Sequence, residues 1–215
     1  MNKFEIVKSV LESQFEQVLE KKPRLLDVGC RDCILESYLH NIVAYEGVDL
    51  FQNNQNTVSH VIDVSHGLPF SDGVYDFVVS LDMVEHIDDI NSCLEELLRV
   101  SKRKLIIMLP NMAFISHRIS FLIRGRFNTD KYDLIYSSAY NNNCVVDRHR
   151  WLTTQQQSDA YMTEFSKMHD CSLTVQWITD GYKKTMFAKA CRLLGISPQL
   201  WAWSSLYVLT KPNSN

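Results

Sequence analysis

Residues 25–33 read Leu25-Leu26-Asp27-Val28-Gly29-Cys30-Arg31-Asp32-Cys33, and this stretch decides the fold. Its apolar lead has the length of a buried strand, and Gly29 opens a tight polar turn. Beyond the turn, Ile34, Leu35, Tyr38 and Leu39 recur at helical spacing. A buried strand, a turn and a helix form the opening unit of a doubly wound α/β sheet, whose ligands bind beyond the carboxyl ends of the strands. Gly29 lets the backbone approach such a ligand closely, with Cys30 beside it. Asp27, two residues earlier, would repel a pyrophosphate but favour a ligand carrying an ammonium and a sulfonium.

Working outward, Phe4, Val7, Leu11, Phe15 and Val18 fall on one face of an N-terminal helix that Lys21, Lys22 and Pro23 close. Residues 43–48 read as a second strand ending in Asp49, 20 residues after Gly29. An acid at that distance grips a ribose diol in doubly wound folds. Residues 51–57 are rich in Asn and Gln and too short for a full helix, so the second crossover is abbreviated. Residues 58–62 form a short third strand, followed by Asp63. Residues 74–80 form the fourth strand. Ile90, Cys93, Leu94, Leu97 and Leu98 trace a helical stripe, and the following Arg99, Lys102, Arg103 and Lys104 suit that helix's C-terminal dipole. Residues 105–109 are the fifth strand.

The Gly29 turn resembles motif I of the class I S-adenosylmethionine (SAM) methyltransferases, commonly Leu-Asp-Val-Gly-Cys-Gly-x-Gly. Arg31 and Cys33 stand where that pattern has its second and third glycines. The run from Leu68-Pro69-Phe70 through Asp76-Phe77-Val78-Val79 to Leu81-Asp82-Met83-Val84-Glu85-His86-Ile87 is similar to the family's Leu-Pro-Phe…Phe-Asp-x-Val…Glu-His-Val pattern. The resemblance implies SAM as cofactor. It places Asp27, Gly29, Cys30, Asp49 and Leu50 against it, with Asp63 at the adenine amino group and Val64, Leu81 and Asp82 nearby. It also implies a Rossmann-like sheet of seven strands whose last strand inserts antiparallel. Arg99-Val100, Leu109-Pro110-Asn111 and Leu122-Ile123-Arg124-Gly125-Arg126, then a His near Thr153, look like the order of the type-11 and MetW-like branch. MetW-like proteins are associated with methionine biosynthesis and an acyltransferase partner, so a protein partner is one implication.

A chain of 215 residues with 46% hydrophobic content suits one α/β domain over residues 1–215. The formal charge of −3 argues against a general nucleic-acid binder. Glu5, Lys8 and Glu12 interrupt the N-terminal apolar residues, so no secretory leader is expected. The longest apolar run, 105–109, cannot span a membrane, and a cytoplasmic protein is expected. Cys30 and Cys33 read as small residues filling a tight turn, with no metal expected; the other four cysteines lie singly.

Residues 111–151 differ in character. They hold seven aromatics and a local charge of +3, opposite in sign to the whole chain. Ile115, Ile119, Leu122 and Ile123 make a helix ending near Gly125, and the remainder reads as a lid that shapes an acceptor pocket. Arg118, Tyr132, Tyr136, Arg148 and Trp151 are its candidate acceptor-binding residues, which suit a small anionic or sugar-like molecule. Thr153 with Gln156 resembles a capping box opening a helix through Tyr161, Phe165 and Met168. Residues 171–178 form a sixth strand. Phe187, Ala190, Cys191 and Leu194 mark a last helix stopped by Gly195 and Pro198, and 200–209 is the closing strand.

The expected activity is methyl transfer from SAM to a small polar acceptor, at oxygen, with His149 or His86 as general base. Of the two, His149 lies on the segment that closes over the acceptor. The alternative is a SAM-binding partner or regulator of another enzyme.

Overall fold

The computed structural model describes residues 2–12, 22–132, 148–179 and 182–212, and for 182–185 the backbone. Among the described residues, seven strands make one sheet in the order β3-β2-β1-β4-β5-β7-β6. They are β1 (Arg24–Val28), β2 (Ala44–Asp49), β3 (His60–Val61), β4 (Tyr75–Leu81), β5 (Ser101–Pro110), β6 (Ser172–Ile178) and β7 (Ser204–Thr210). β1 pairs in parallel with both β2 and β4, so the strand order reverses there and opens the ligand crevice of such sheets. β7 runs antiparallel between β5 and β6, as the sequence implied.

The near-continuous apolar reading of β1, β4 and β5 reflects helices on both faces. Leu105, Ile107 and Leu109 of β5 point into one layer. There they meet Cys93, Leu94, Leu97 and Leu98 of α3 (Ile90–Val100) and Met162 and Phe165 of α5 (Gln155–Met168). Ile106 and Met108 point the other way, to Ile6, Val7 and Leu11 of α1 (Lys3–Glu12) and Leu35 and Leu39 of α2 (Ile34–Leu39). Each such side chain contributes about 1.5–3 kcal/mol when fully buried.

Local details depart from the sequence reading for identifiable reasons. The expected helix positions Phe15 and Val18 lie outside the described residues. β5 starts directly after α3, so Lys102, Arg103 and Lys104 ride on the strand. Arg99 leaves the helix terminus to bond Glu96, Asp72 and the carbonyls of Leu68 and Phe70, pinning the turn before β4. The Arg99 guanidinium holds Glu96 down to about 2.

α4 (Ile115–Arg124) ends at Gly125 as expected, with φ 68° there. Its buried residues, however, are His117 and Ser120, while Ile119, Phe121, Leu122 and Ile123 face outward. The helix is held by aromatic contact, with His117 stacked on Trp203 at 5.3 Å. The capping box before α5 sits one residue later than expected. Thr154 accepts from the Gln157 amide and donates to its side chain, while Thr153 donates to the Pro110 carbonyl. After α6 (Tyr182–Leu193), Pro198 opens a helix, α7 (Pro198–Trp201), because proline suits a first helical turn. The closing strand therefore begins at Ser204.

Candidate active site

At the switch point the Gly29 and Cys30 amides both donate to the Val48 carbonyl, folding the turn over the end of β2. Gly29 has φ 81°, and a Cβ there would lie 2.5 Å from Cγ of Met83. Glycine is thus required by the backbone and by the approach of the segment after β4. Arg31 and Cys33 also take left-handed φ, 50° and 52°. The turn keeps glycine-like geometry at both replaced positions, at a cost of ~1–2 kcal/mol each. Cys30 and Cys33, with sulfurs 3.5 Å apart, pack over Gly47, where a Cβ would lie 2.8 Å from the Cys30 sulfur. Burial pushes the Cys30 thiol up, away from the thiolate that metal or redox chemistry needs.

Asp27 is buried beneath this turn, and Tyr45 donates its hydroxyl to it at 2.7 Å. Burial lifts the Asp27 carboxyl to about 7 against the opposing Tyr45 bond and Lys3 charge. Asp49 ends β2. Its Oδ2 accepts from the Arg31 amide at 2.8 Å, and its Oδ1 has a longer contact, 3.4 Å, with the Phe51 amide. Leu50 follows it, half-buried. Asp63 caps the short 3-10 turn that starts at Val64, accepting from the Ser65 amide and hydroxyl, bonds that hold its carboxyl below the usual range. Asp63 thus has a structural task that the sequence reading did not foresee.

At the end of β4, Leu81 is buried and Asp82 takes φ 56°. Lys3, from α1, donates to Asp82 at 2.8 Å and so ties the N-terminal helix to the crevice. The next turn presents Glu85 and His86. A strap formed by residues 148–151 is bonded along it: the Arg150 amide donates to the Glu85 carbonyl, and the Trp151 indole to the Ile87 carbonyl, both at 2.8 Å.

This strap fixes the tautomers of two histidines. His86 Nδ1 lies 3.1 Å from the Arg148 carbonyl, which only accepts, so Nδ1 carries the proton and Nε2 the lone pair of the neutral ring. His149 Nδ1 lies 3.2 Å from the Tyr132 hydroxyl, which itself donates to the Trp151 carbonyl at 2.6 Å. The Tyr132 oxygen therefore accepts from Nδ1, and His149 Nε2 turns its lone pair to Glu85 Oε1, 3.9 Å away. The two imidazoles meet edge to face at 4.7 Å. Glu85 is 1% exposed; burial and the Asp82 charge push its carboxyl up to about 8.

His149 also lines a cavity of about 150 Å³ beyond β5, with Asn111, Met112, His117 and Trp203. Asn111, buried, donates to the Gln199 and Ala202 carbonyls and accepts from the Ala113 and Gln155 amides. It knits the cavity floor together.

The structure thus brings Asp27, Gly29, Cys30, Asp49 and Asp82 to one crevice, and His86, His149, Tyr132 and Trp151 to a cluster along the same loop. Arg148 joins that cluster through its carbonyl. Arg118 turns back onto the Ala113 carbonyl at 2.6 Å. Tyr136 lies outside the described residues. The sequence reading passed over Glu85, although it adjoins His86 in the quoted Glu-His pair. It also passed over Lys3, Tyr45 and Asn111; for Lys3 no sequence signal exists.

No curated protein sequence matches the chain. Solved structures share its fold. The methyltransferase domain of bacterial CtHen1-CN aligns with a TM-score of 0.59 at 15% identity over 96% of each chain. Magnesium protoporphyrin IX methyltransferase from Synechocystis, solved with bound SAH, aligns with a TM-score of 0.53 at 11% identity, over 97% of this chain and 82% of that one. The small RNA methyltransferase HEN1 aligns with a TM-score of 0.55 at 16% identity, over 99% of this chain and 26% of that one. A family model described as a methyltransferase domain matches residues 4–157. That match spans most of the chain, which therefore belongs to the methyltransferase-domain family, as a class I SAM-dependent methyltransferase.

Proposed function

We propose that this methyltransferase transfers the SAM methyl group to a hydroxyl oxygen of a small polar acceptor, with His149 receiving the hydroxyl proton. The observation that carries this reading is the place of His149. It lines the cavity beyond β5, its Nε2 lone pair faces the buried Glu85, and its other nitrogen is fixed by Tyr132. Glu85 is held neutral by burial up to about 8, and an imidazolium formed beside it would favour its ionisation, so the two charges would form as a pair. The cavity, about 150 Å³, is below the ~300–1,000 Å³ of drug-sized sites, which suits a small reacting group.

On the other side of the loop, Gly29 and Cys30 would receive SAM. Asp27 would accept from its ammonium and Asp49 from its ribose hydroxyls, and Leu50, Val64, Leu81 and Asp82 would hold its adenine. Asp63 contributes by shaping that turn. SAM would supply the electrophilic methyl group, and alignment of the acceptor with it by these residues would be worth ~7–11 kcal/mol. Anionic groups of the acceptor would meet Arg124 and Arg126, which line a groove of about 280 Å³ with Phe127.

The retained left-handed turn at Arg31 and Cys33 supports turnover over a purely regulatory, MetW-like role, since the replaced glycines leave the cofactor loop in shape. The net charge of −3 disfavours a polyanionic acceptor. Free thiols at Cys30, Cys33, Cys93, Cys171 and Cys191 fit a reducing compartment such as the cytoplasm. No helix among the described residues is long and apolar enough to cross a membrane.

The test supplies SAM with an isotopically labelled methyl group, together with separated small-molecule, RNA and protein fractions of a cell extract. The expected result is label in a small molecule as a methyl ether. Label confined to RNA or protein would overturn the acceptor assignment.

A further inference from the structure

We propose that Glu85, His86 and His149 form a binding site for a divalent transition-metal ion at the acceptor side of the crevice. One ligand atom from each of the three residues lies within 4.8 Å of the others. They converge from two separate segments, the turn after β4 and the strap at 148–151, which the Arg150–Glu85 and Trp151–Ile87 bonds clamp together.

Three features point to a cation in particular. The Glu85 side chain is buried, and its Oε2 has no hydrogen-bond partner among the described residues. A buried carboxylate oxygen without a donor costs ~1–3 kcal/mol or more, and an ion would remove that cost. Secondly, the Nδ1 atoms of both histidines are engaged by oxygen acceptors, the Arg148 carbonyl and the Tyr132 hydroxyl. That is how metal-binding imidazoles are oriented, with the far nitrogen donating its proton outward and the near one presenting its lone pair. Thirdly, the His149 lone pair faces Glu85 Oε1 across 3.9 Å, which is too long for a shared proton yet leaves two electron-rich atoms opposed.

Ligand atoms about 2.1 Å from an ion sit roughly 3.0–3.4 Å apart, so closure by about an ångström completes the site. Two nitrogens and one carboxylate oxygen favour a borderline ion such as Fe²⁺, Co²⁺ or Zn²⁺, and among harder ions Mn²⁺, over Mg²⁺ or Ca²⁺. Three protein ligands leave coordination positions open for an acceptor oxygen.

Binding of the ion stands on this geometry alone; its role rests on the hydroxyl-methylating reading above. In that role the ion lowers the pKa of the acceptor hydroxyl. The oxygen–methyl bond forms as the sulfur–methyl bond breaks, SAH departs with the sulfur electron pair, and the hydroxyl proton passes to water. His149 then serves as ligand in place of free base.

The experiment uses the full chain, freed of any purification tag and of metal, titrated with Mn²⁺ and followed by electron paramagnetic resonance. The expected result is one Mn²⁺ per chain, with spin-echo modulation from two imidazole nitrogens. Affinity should fall tenfold or more in Glu85→Gln and in His149→Ala, with SAM affinity unchanged. No bound Mn²⁺ in the folded protein, absence of imidazole modulation, or equal binding in both variants would overturn the site. Should Glu85→Gln fail to fold, His86→Asn and the wild-type modulation decide. A bound ion whose removal leaves methyl transfer at full rate would overturn the catalytic role and leave the proposed acceptor chemistry standing.

Discussion

The two halves of the crevice are built on opposite principles. On the side proposed for the cofactor, backbone amides fold the Gly29 turn onto Val48, and the carboxylates of Asp27, Asp49, Asp63 and Asp82 all hold protein donors. On the side proposed for the acceptor, a buried Glu85 oxygen has no hydrogen-bond partner among the described residues, a cavity opens beside His149, and α4 turns apolar side chains outward. One half is a satisfied backbone scaffold, and the other is an arrangement of individual side chains. Binding of a shared cofactor should therefore tolerate much sequence change, whereas acceptor choice should depend on a few residues.

Asn111→Ala should produce the largest effect and sharpen this contrast. Four hydrogen bonds, three of them buried, converge on that side chain, and breaking them strands backbone groups at ~1–3 kcal/mol each. A loss of ~3–5 kcal/mol in urea unfolding is expected. A loss below 1 kcal/mol would show that the acceptor side does not hang on single residues.

Asp27→Asn probes the buried acid of the cofactor side. Burial lifts Asp27 to about 7, above its unfolded value of roughly 3.9, so folding prefers the neutral acid. That contribution is complete below about pH 4 and lost as pH rises through about 7. Unfolding at pH 8 should show the variant more stable than wild type by ~1–3 kcal/mol, with the gap closing toward pH 4. A gap independent of pH would remove the ionisation argument.

Asp49→Ala should weaken SAM about tenfold, or ~1.4 kcal/mol, by calorimetry, while kcat at saturating SAM changes little. Unchanged affinity in the folded variant would end the ribose assignment. Arg31→Gly should have the smallest effect. Relief of the left-handed backbone is offset by the greater freedom of glycine in the unfolded chain, so stability should shift by less than ~1 kcal/mol. A tenfold change in SAM affinity there would mean that the Arg31 side chain, and not only its amide, meets the cofactor.

How much of this was legible in the sequence follows the same division. The strand–turn–helix of residues 24–39, the switch point and the stripe of α3 could be read because apolar periodicity and a glycine turn are local signals. The place of Asp49 at the end of β2 was legible from the strand pattern and its spacing from Gly29. The acceptor side was less so. His149 and Glu85 are 64 positions apart, and the bonds of Arg150, Trp151, His86 and Tyr132 bring them together. Lys3 reaches Asp82 across 79 positions, a pairing no periodicity encodes. α4 was recognisable as a helix, but which face it buries was decided by the stacking of His117 on Trp203. Tyr136, expected at the acceptor, lies outside the described residues.

The division of labour is tested most directly by steady-state kinetics and SAM calorimetry on His149→Ala, once the labelled acceptor is in hand. The kcat should fall by ~10²-fold or more while SAM binds as before, because the proposed role of His149 is on the acceptor side alone. A near-normal kcat, or a kcat loss matched by an equal loss of SAM affinity, would contradict it.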